Sequence, residues 1–280
     1  MGAILLKRVM RWGGHQLEFG ANTLIMGIVN VTPDSFSDGG AFFNVDRAVR
    51  HGMRLVEEGA DLLDVGGEST RPGYTLIGTS EECRRVVPVI ERLASQVKVP
   101  ISIDTQKSEV AEQAIRAGAS IINDIWGCKG DTMMGETAAH HEVPIILMHN
   151  RSTPCEENFM ETLLSELRQS IDLAVRAGVS RDRMILDPGV GFGKTFLQNL
   201  EAIRKLDELT SLGFPILLGT SRKSVIGNTL RLPTDQREEG TAATVAIGIT
   251  KGADIVRVHD VRVMARVVKM ADAVARGVLT

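Results

Sequence analysis

The sequence predicts an α/β fold of the TIM (β/α)8 barrel class, with an N-terminal β-hairpin at the bottom of the barrel. First, short apolar runs recur along the chain and are continuous rather than alternating, which is typical of parallel strands covered on both faces. Second, helical stretches separate these runs, so that strand–helix units fill about 250 residues, the usual size of such a barrel. Because no linker or change in composition interrupts the chain, we expect one domain over residues 1–280.

The N-terminal region predicts the hairpin and the first barrel strand. Two apolar stretches, AILLKRVM and HQLEF, flank Gly13-Gly14, and a turn there would place a hairpin across the bottom of the barrel. The first barrel strand is LIMGIVN, residues 24–30, which leads into the polar segment VTPDSFSDGG. We expect this segment to be a flexible loop that closes over the site, with Phe36 as its one apolar contact.

The other strands are entered in two ways. Three follow a Gly-Ala pair, in EEGADLLDVGG, RAGASIINDI and TKGADIVRVHD, where Gly59, Gly118 and Gly252 fit helix C-caps. Three follow a proline, in VPISIDT, VPIILMH and FPILLGT, and the remaining one is DRMILDPG. We expect helices over residues 46–58, 80–96 (with a kink at Pro88), 107–117, 156–177, 199–211, 235–250 and 262–276. A doubly wound sheet is the alternative, but no GxGxxG motif opens a helix after the first strand.

The composition is that of an ordinary globular protein and argues against several classes of function. A net charge of -3 and a pI of about 6.1 give no overall reason to bind nucleic acid or an anionic membrane. No apolar run approaches the ~20 residues needed to cross a bilayer, and the N-terminus does not match a signal peptide. Cys83, Cys128 and Cys155 have neither zinc-site nor disulfide-framework spacing. We therefore expect a cytoplasmic protein with reduced thiols.

A polar residue stands at the end of each predicted strand. Because the carboxyl ends of barrel strands surround the active site, these residues predict a polar ring there. A single Asp after a strand is more often only a helix N-cap, but capping alone does not account for polar residues at every strand end. The ring consists of Asn30, Asp64, Asp104, Asn123, Asp124, His149, Asp187, Ser221, Arg222, Lys223, Arg257 and His259.

The chemistry of the ring indicates a flat heterocycle and an anion. A carboxylate can accept two parallel N–H bonds, which fixes a heterocyclic ring in its plane. Lys223 would donate to a ring carbonyl or nitrogen, and Arg257 and His259 lie where barrels often hold phosphate. The alternative for Arg257 is an ion pair with a neighbouring Asp. The expected acceptors for ring N–H groups are Asp104, Asn123 and Asp187.

Two glycine-rich loops, residues 66–74 and 187–195, are expected to be mobile. Each carries one basic residue, Arg71 in the first and Lys194 in the second. The second loop contains GVGFGKT, which lacks the GxxxxGK[ST] spacing of a P-loop.

Taken together, the motifs resemble those of the dihydropteroate synthases, a family of pterin-binding TIM barrels. The matching runs extend from Gly27 to about Val261 in family order: GIVNVTPDSFSDGG, DVGGESTRPG, SIDT, IIND, LMH, LDPGVGFGKT, GTSRKSVIG and IVRVHDV. The resemblance implies that 4-aminobenzoate attacks the methylene group of 6-hydroxymethyl-7,8-dihydropterin diphosphate through a dissociative step, with Mg²⁺ on the diphosphate. It also implies a homodimer and inhibition by sulfonamides. The small apolar residues of segment 238–252 fit tight packing against the barrel as well as a dimer interface.

The resemblance also implies roles for individual residues. The pterin ring would be held by Asp104, Asn123, Asp187 and Lys223, and packed on its faces by Ile125 and Met148. The metal or the diphosphate would be bound by Asn30, and the diphosphate also by Arg257 and His259. The aminobenzoate side would be shaped by Phe36, Thr70, Arg71, Pro72, Phe192 and Ser224.

Two other functions stay open at the level of sequence. A methyltetrahydrofolate–corrinoid methyltransferase shares the pterin-binding barrel, but it has no need of TPDSFSDGG, STRPG and SRK. A non-catalytic pterin-binding homologue could keep the ligand site and lose the loop chemistry. Diphosphate release from the two substrates with Mg²⁺ would separate the three functions.

Overall fold

The structure is a computed structural model that describes residues 8–32, 41–68 and 76–277, without the side chains of residues 41–44. It begins with the expected hairpin, in which β1 (Arg8–Trp12) pairs antiparallel with β2 (His15–Phe19). Arg8 lies close enough to Asp254, at the start of the last strand, to interact electrostatically with it, so the hairpin covers the N-terminal end of the barrel. One face of the hairpin joins the main hydrophobic core through Met10, Trp12, Leu17 and Phe19.

Eight parallel strands form the barrel wall, as the sequence predicts. They are β3 (Leu24–Asn30), β4 (Leu62–Gly66), β5 (Ile101–Asp104), β6 (Ile121–Asp124), β7 (Ile145–Met148), β8 (Met184–Asp187), β9 (Leu217–Leu218) and β10 (Ile255–Val258). Their order in the sheet is β8-β7-β6-β5-β4-β3-β10-β9. A parallel bridge between Leu186 and Ile216 then links the two end strands and closes the barrel.

Helices alternate with the strands along the chain. They are α1 (Ala41–Glu57), α2 (Thr79–Ala94), α3 (Ser108–Arg116), α4 (Met134–His140), α5 (Phe159–Arg176), α6 (Phe196–Arg204), α7 (Ser224–Leu230), α8 (Glu238–Thr250) and α9 (Val261–Arg276). The sequence pattern does not predict α4 and α7, because 7 residues are too few to show a helical period. In the described residues, no helix is both long and apolar enough to cross a membrane.

Local signals set the ends of several helices. Gly59, Gly118 and Gly252 have φ angles of 106°, 113° and 95°, which confirms them as left-handed residues after α1, α3 and α8. The predicted helix 199–211 instead begins at Phe196, because Thr195 and Gln198 form a capping box there, and it ends at Arg204. A 3-10 segment over residues 206–212 continues the chain.

Candidate active site

The polar residues predicted from the strand ends meet at one end of the barrel. Asn30 and Asp104 each pair in register with Gly66, and Asp104 also pairs with Asn123. Further round the barrel, Asp187 ends β8 opposite Met148. Because all eight strands are parallel, these neighbouring ends form a continuous rim.

Arg257 on β10 lies between two buried carboxylates of this rim. Its Nε donates to Asp64 Oδ2 at 2.6 Å and one of its terminal nitrogens donates to Asp104 Oδ2 at 2.7 Å. Asn123 Nδ2 donates to the same Asp64 oxygen at 3.1 Å. The ion pair that the sequence left as the alternative for Arg257 is therefore present.

Three acceptors at this centre have no hydrogen-bond partner in the part of the chain that the structure describes. They are one carboxylate oxygen of Asp64, one of Asp104 and the amide oxygen of Asn123, all Oδ1. The Asn123 orientation follows from chemistry, since the carboxylate of Asp64 can only accept from an amide nitrogen. A buried acceptor without a donor costs about 1–3 kcal/mol, so a ligand that presents adjacent N–H groups would recover that free energy.

Burial shifts the pKa values of the charged groups in the rim. It raises the pKa of Asp104, against the opposing charge of Arg257, and raises the pKa of Asp187, against the opposing charge of Lys223. Burial also lowers the pKa of Lys223 to about 8, although Asp187 opposes this effect. Arg257 keeps its charge. Burial lowers its pKa, but the negative charges of Asp64 and Asp104 raise it by more.

Lys223 follows β9 and contacts the loop between β8 and α6. Its Nζ donates to the carbonyl oxygen of Val190 and lies 4.7 Å from the centroid of the Phe192 ring, a cation–π distance. Across the rim, Asp187 Oδ1 accepts from the backbone N–H of Gly189 at 2.7 Å. The structure thus brings together Asp187, Lys223 and Phe192, as the sequence predicts, through the loop that follows β8.

The loop between β8 and α6, which the sequence predicts to be mobile, packs closely against segment 149–151. A Cβ on Gly189 would lie 1.9 Å from the carbonyl oxygen of His149, and one on Gly193 would lie 2.1 Å from that of Arg151. Both glycines also have positive φ angles, 66° and 53°. The glycines therefore allow close contact with segment 149–151, and Lys194 turns towards that segment instead of the rim.

His149 is also placed differently from its prediction. It follows β7 at the rim, but its side chain is buried, with Nδ1 facing Lys194 at 2.9 Å and Nε2 lying 3.0 Å from Glu166 Oε2. The latter distance is short, yet the angle is not that of a hydrogen bond. Burial lowers the pKa of His149 to about 2, so the ring is neutral.

Ser221 holds the ring of His259, a contact that the sequence does not reveal. The Ser221 hydroxyl oxygen accepts from the His259 backbone N–H at 3.2 Å and lies 2.9 Å from His259 Nδ1. The hydroxyl oxygen has two lone pairs, so it can accept from this backbone N–H and also either donate to Nδ1 or accept its proton. The only signal was the position of Ser221 after a strand.

Asn30 ends β3, is half-buried, and was predicted to bind the metal. Within residues 8–32, 41–68 and 76–277, no group of three or more His, Cys, Asp or Glu side chains is placed to hold a metal ion. Mg²⁺ commonly keeps several waters and binds through one or two protein oxygens together with substrate phosphates. A single amide oxygen at the rim therefore fits a Mg²⁺ ion that arrives with a diphosphate.

The remaining predicted residues divide into two groups. Ile125 and Met148 are buried directly at the ends of β6 and β7, whereas Ser224 is exposed as the first residue of α7. Four predicted residues lie outside the described residues: Phe36, Thr70, Arg71 and Pro72.

Comparison with known proteins agrees with this geometry. The family model described as pterin binding enzyme matches residues 26–259. The dihydropteroate synthase of Clostridium beijerinckii is 53% identical over 268 residues, covering 95% of this chain and 100% of that protein. The Clostridium difficile dihydropteroate synthase, solved in the presence of pteroic acid, superposes with a TM-score of 0.91 at 48% identity, over 93% of this chain and 99% of that one. The Yersinia pestis dihydropteroate synthase, solved with a sulfonamide drug, superposes with a TM-score of 0.90 at 38% identity, over 96% of this chain and 100% of that one.

Proposed function

The chain belongs to the pterin-binding enzymes and, within them, to the dihydropteroate synthases, and from this premise we propose its reaction. It joins 6-hydroxymethyl-7,8-dihydropterin diphosphate to 4-aminobenzoate, forming 7,8-dihydropteroate and diphosphate for folate biosynthesis. The observation that carries this proposal is the set of three buried acceptors without donors, on Asp64, Asp104 and Asn123. A pterin presents adjacent N–H donors in one plane, which is the complement of that set.

The rim residues bind the pterin and draw charge towards the leaving group. Asp187 and Lys223 face the heterocycle from the β8 and β9 side, and Ile125 and Met148 shield its faces from water. The guanidinium of Arg257 uses two of its five N–H donors on Asp64 and Asp104, so donors remain for a diphosphate oxygen. Arg257 and His259 favour breakage of the carbon–oxygen bond to diphosphate, because their N–H donors stabilise the negative charge that develops on the departing oxygens.

The amine of 4-aminobenzoate then forms the new bond. Its nitrogen attacks the methylene carbon after the carbon–oxygen bond to the diphosphate has broken, and the proton lost from nitrogen passes to water. An aromatic amine is already a fair nucleophile, so the step needs neither a strong base nor a covalent enzyme intermediate. Phe192 and Ser224, with Phe36, Thr70, Arg71 and Pro72 outside the described residues, form the proposed aminobenzoate side.

Mg²⁺ is the proposed cofactor, with Asn30 as its protein ligand. When bound, the ion would neutralise charge on the diphosphate. Removing it with EDTA should abolish diphosphate release while 6-hydroxymethyl-7,8-dihydropterin, which lacks the diphosphate, still binds. Full activity in EDTA, or an unchanged Mg²⁺ requirement in Asn30→Ala, would contradict this assignment.

The decisive experiment measures diphosphate release from the two substrates with Mg²⁺. Release that depends on 4-aminobenzoate supports the synthase. Pterin binding without release would indicate a binding protein, and methyl transfer from methyltetrahydrofolate would indicate the corrinoid-linked methyltransferase. We also propose that sulfonamides compete with 4-aminobenzoate, so full turnover at a high sulfonamide concentration would exclude an intact aminobenzoate site.

A homodimer is proposed from apolar side chains that remain exposed where α6, α7 and α8 pack together. These side chains are Phe196, Leu197, Leu200, Leu230 and Ile247. Leu197→Glu should convert the dimer to a monomer in analytical ultracentrifugation. Val274→Glu on α9 is the matched control, because Val274 and Leu197 are both 72% exposed. A monomeric native protein would refute the proposal.

We further propose that the protein works in the cytoplasm. Its cysteines are free thiols, two of them buried, and reduced thiols persist in that compartment. Cell fractionation tests this location, and recovery of the protein in a membrane or secreted fraction would contradict it.

A further inference from the structure

Lys194 occupies an unusual position at the end of the loop between β8 and α6. Its Nζ donates to the carbonyl oxygens of Gly189 at 2.8 Å and Phe192 at 2.9 Å within its own loop. It also faces two atoms of His149, Nδ1 at 2.9 Å and the carbonyl oxygen at 3.2 Å. One ammonium group therefore joins the loop after β8 to the segment after β7.

The residues that Lys194 binds are those that position the pterin-binding groups. Gly189, whose carbonyl oxygen binds Lys194, donates its N–H to the Asp187 carboxylate. Phe192, whose carbonyl oxygen also binds Lys194, lies with its ring under the Lys223 ammonium. Lys194 thus binds the backbone of the two loop residues that contact Asp187 and Lys223.

We propose that Lys194 is a positioning residue, which holds Asp187 and Lys223 in their pterin-binding geometry through the loop between β8 and α6. It does not itself contact the substrate, because its donors are directed at the loop and at His149. This inference rests on the proposed function and adds to it the residue that sets the geometry of the pterin site.

His149 supports the role by its protonation. Since Lys194 donates to Nδ1, the neutral His149 ring carries its proton on Nε2, on the side of Glu166. Burial lowers the pKa of His149 to about 2, so the ring is neutral near pH 7 and can accept from the charged Lys194 ammonium.

The charge on Lys194 gives the role a dependence on pH. Burial lowers the pKa of Lys194 to about 7, so the amine changes its charge near neutrality. A neutral amine has two N–H donors instead of three and no longer lowers the pKa of Asp187 by its positive charge. The titratable and charged groups that face Lys194 from neighbouring segments are Lys129, His149, Glu166, Asp187 and Lys223.

The test compares pterin binding by the wild type, Lys194→Met and the control Lys205→Met. Lys205 lies at the end of α6 and pairs with Glu201 away from the rim. The probe is 6-hydroxymethyl-7,8-dihydropterin in titration calorimetry at pH 6 and pH 9. At pH 6, where the wild-type amine is charged, we expect Kd to be about tenfold higher in Lys194→Met than in the wild type. At pH 9 the ratio of the two Kd values should be smaller. Lys205→Met should bind the pterin with the wild-type Kd at both pH values.

The outcomes separate positioning from a merely structural role. An unchanged Kd in Lys194→Met overturns the proposal, and so does a loss of affinity that is equal at both pH values and accompanied by a lower Tm. Lys194→Gln serves as a second variant if Lys194→Met does not fold, and failure of both to fold would make the role structural. Wild-type protein that neither binds the pterin nor releases diphosphate would instead refute the proposed function.

Discussion

Buried aspartates occur at both ends of the barrel, but their hydrogen bonding differs. At the N-terminal end, Asp272 accepts from the backbone N–H and the hydroxyl of Thr23, both at 2.7 Å. Asp254 at the same end accepts from the backbone N–H that precedes β9, at 2.9 Å. At the C-terminal end, Asp64 and Asp104 each keep one oxygen without a hydrogen-bond partner among the described residues.

This difference separates stability from function within one residue type. A carboxylate that binds the chain on both oxygens stabilises the fold, since its hydrogen bonds form when the chain folds. A carboxylate with an unpaired oxygen costs free energy until a ligand supplies the donor. The aspartates at the N-terminal end therefore stabilise the fold, whereas those at the C-terminal end can bind a ligand, which is the usual division in such barrels.

Replacing Arg257 with Met should have the largest effect, because it removes the cation between the carboxylates at the C-terminal end of the barrel. It leaves Asp64 and Asp104 buried without their cation, so the free energy of unfolding should fall by about 3–5 kcal/mol. Urea unfolding measures this loss, and activity should fall with it. Arg116→Met, which removes an exposed pair with Glu112, should cost less than about 1 kcal/mol. Equal losses in the two variants would argue against a buried charge cluster.

Asp187→Asn should reduce function with little loss of stability. The amide can still accept from Gly189, but it loses one acceptor and the charge facing Lys223. We expect kcat/KM for the pterin diphosphate to fall by a factor of about ten to one hundred, equivalent to about 1.4–2.7 kcal/mol. Steady-state kinetics and urea unfolding measure the two quantities. Unchanged pterin affinity would count against the assigned pose.

Asp272→Asn should show the opposite pattern at the other end of the barrel. The variant weakens the contacts to Thr23 and the ion pair with Arg276, so the free energy of unfolding should fall by about 1–3 kcal/mol. Thermal and urea unfolding provide the measurement. Because Asp272 lies at the end away from the rim, kcat/KM should stay at the wild-type value, and a selective loss of activity would contradict the division between the two ends.

The pH dependence of activity should report two carboxylates of the rim, Asp104 and Asp187. Burial raises the pKa of Asp104 and of Asp187, so these groups become protonated at a pH above the ordinary value of about 3.9. A protonated carboxyl loses an acceptor, so kcat/KM is retained above the raised pKa and falls about tenfold per pH unit below it. A profile of kcat/KM that stays flat down to pH 4 would refute this.

The sequence predicts the positions of the rim residues better than their contacts. Each strand is a short apolar run that ends in a polar residue, so the repeat alone places Asp104, Asn123 and Asp187 at one end. The pairing of Arg257 with Asp64 and Asp104 joins residues 193 and 153 positions apart, and only closure of the barrel brings them together. Local patterns carry no such information.

The glycine-rich loop illustrates a second limit. A run such as DPGVGFGKT is compatible with mobility or with close backbone contact, because glycine permits both. The choice depends on the carbonyl oxygens of His149 and Arg151, which approach Gly189 and Gly193 only in the folded barrel. The close packing of this loop therefore depends on tertiary contacts that the local sequence does not reveal.

Ser221→Ala should have the smallest effect and tests whether His259 at the C-terminal end of the barrel acts on the diphosphate. The variant removes the hydroxyl that anchors the His259 ring at Nδ1, at a cost of about 0.5–1.5 kcal/mol. If His259 acts on the diphosphate, the loss should affect kcat/KM for the pterin diphosphate and leave the affinity for 6-hydroxymethyl-7,8-dihydropterin unchanged. Kinetics and calorimetry on one preparation give both values. Equal loss for the two ligands would place the serine's effect on the pterin ring, because only the diphosphate distinguishes them.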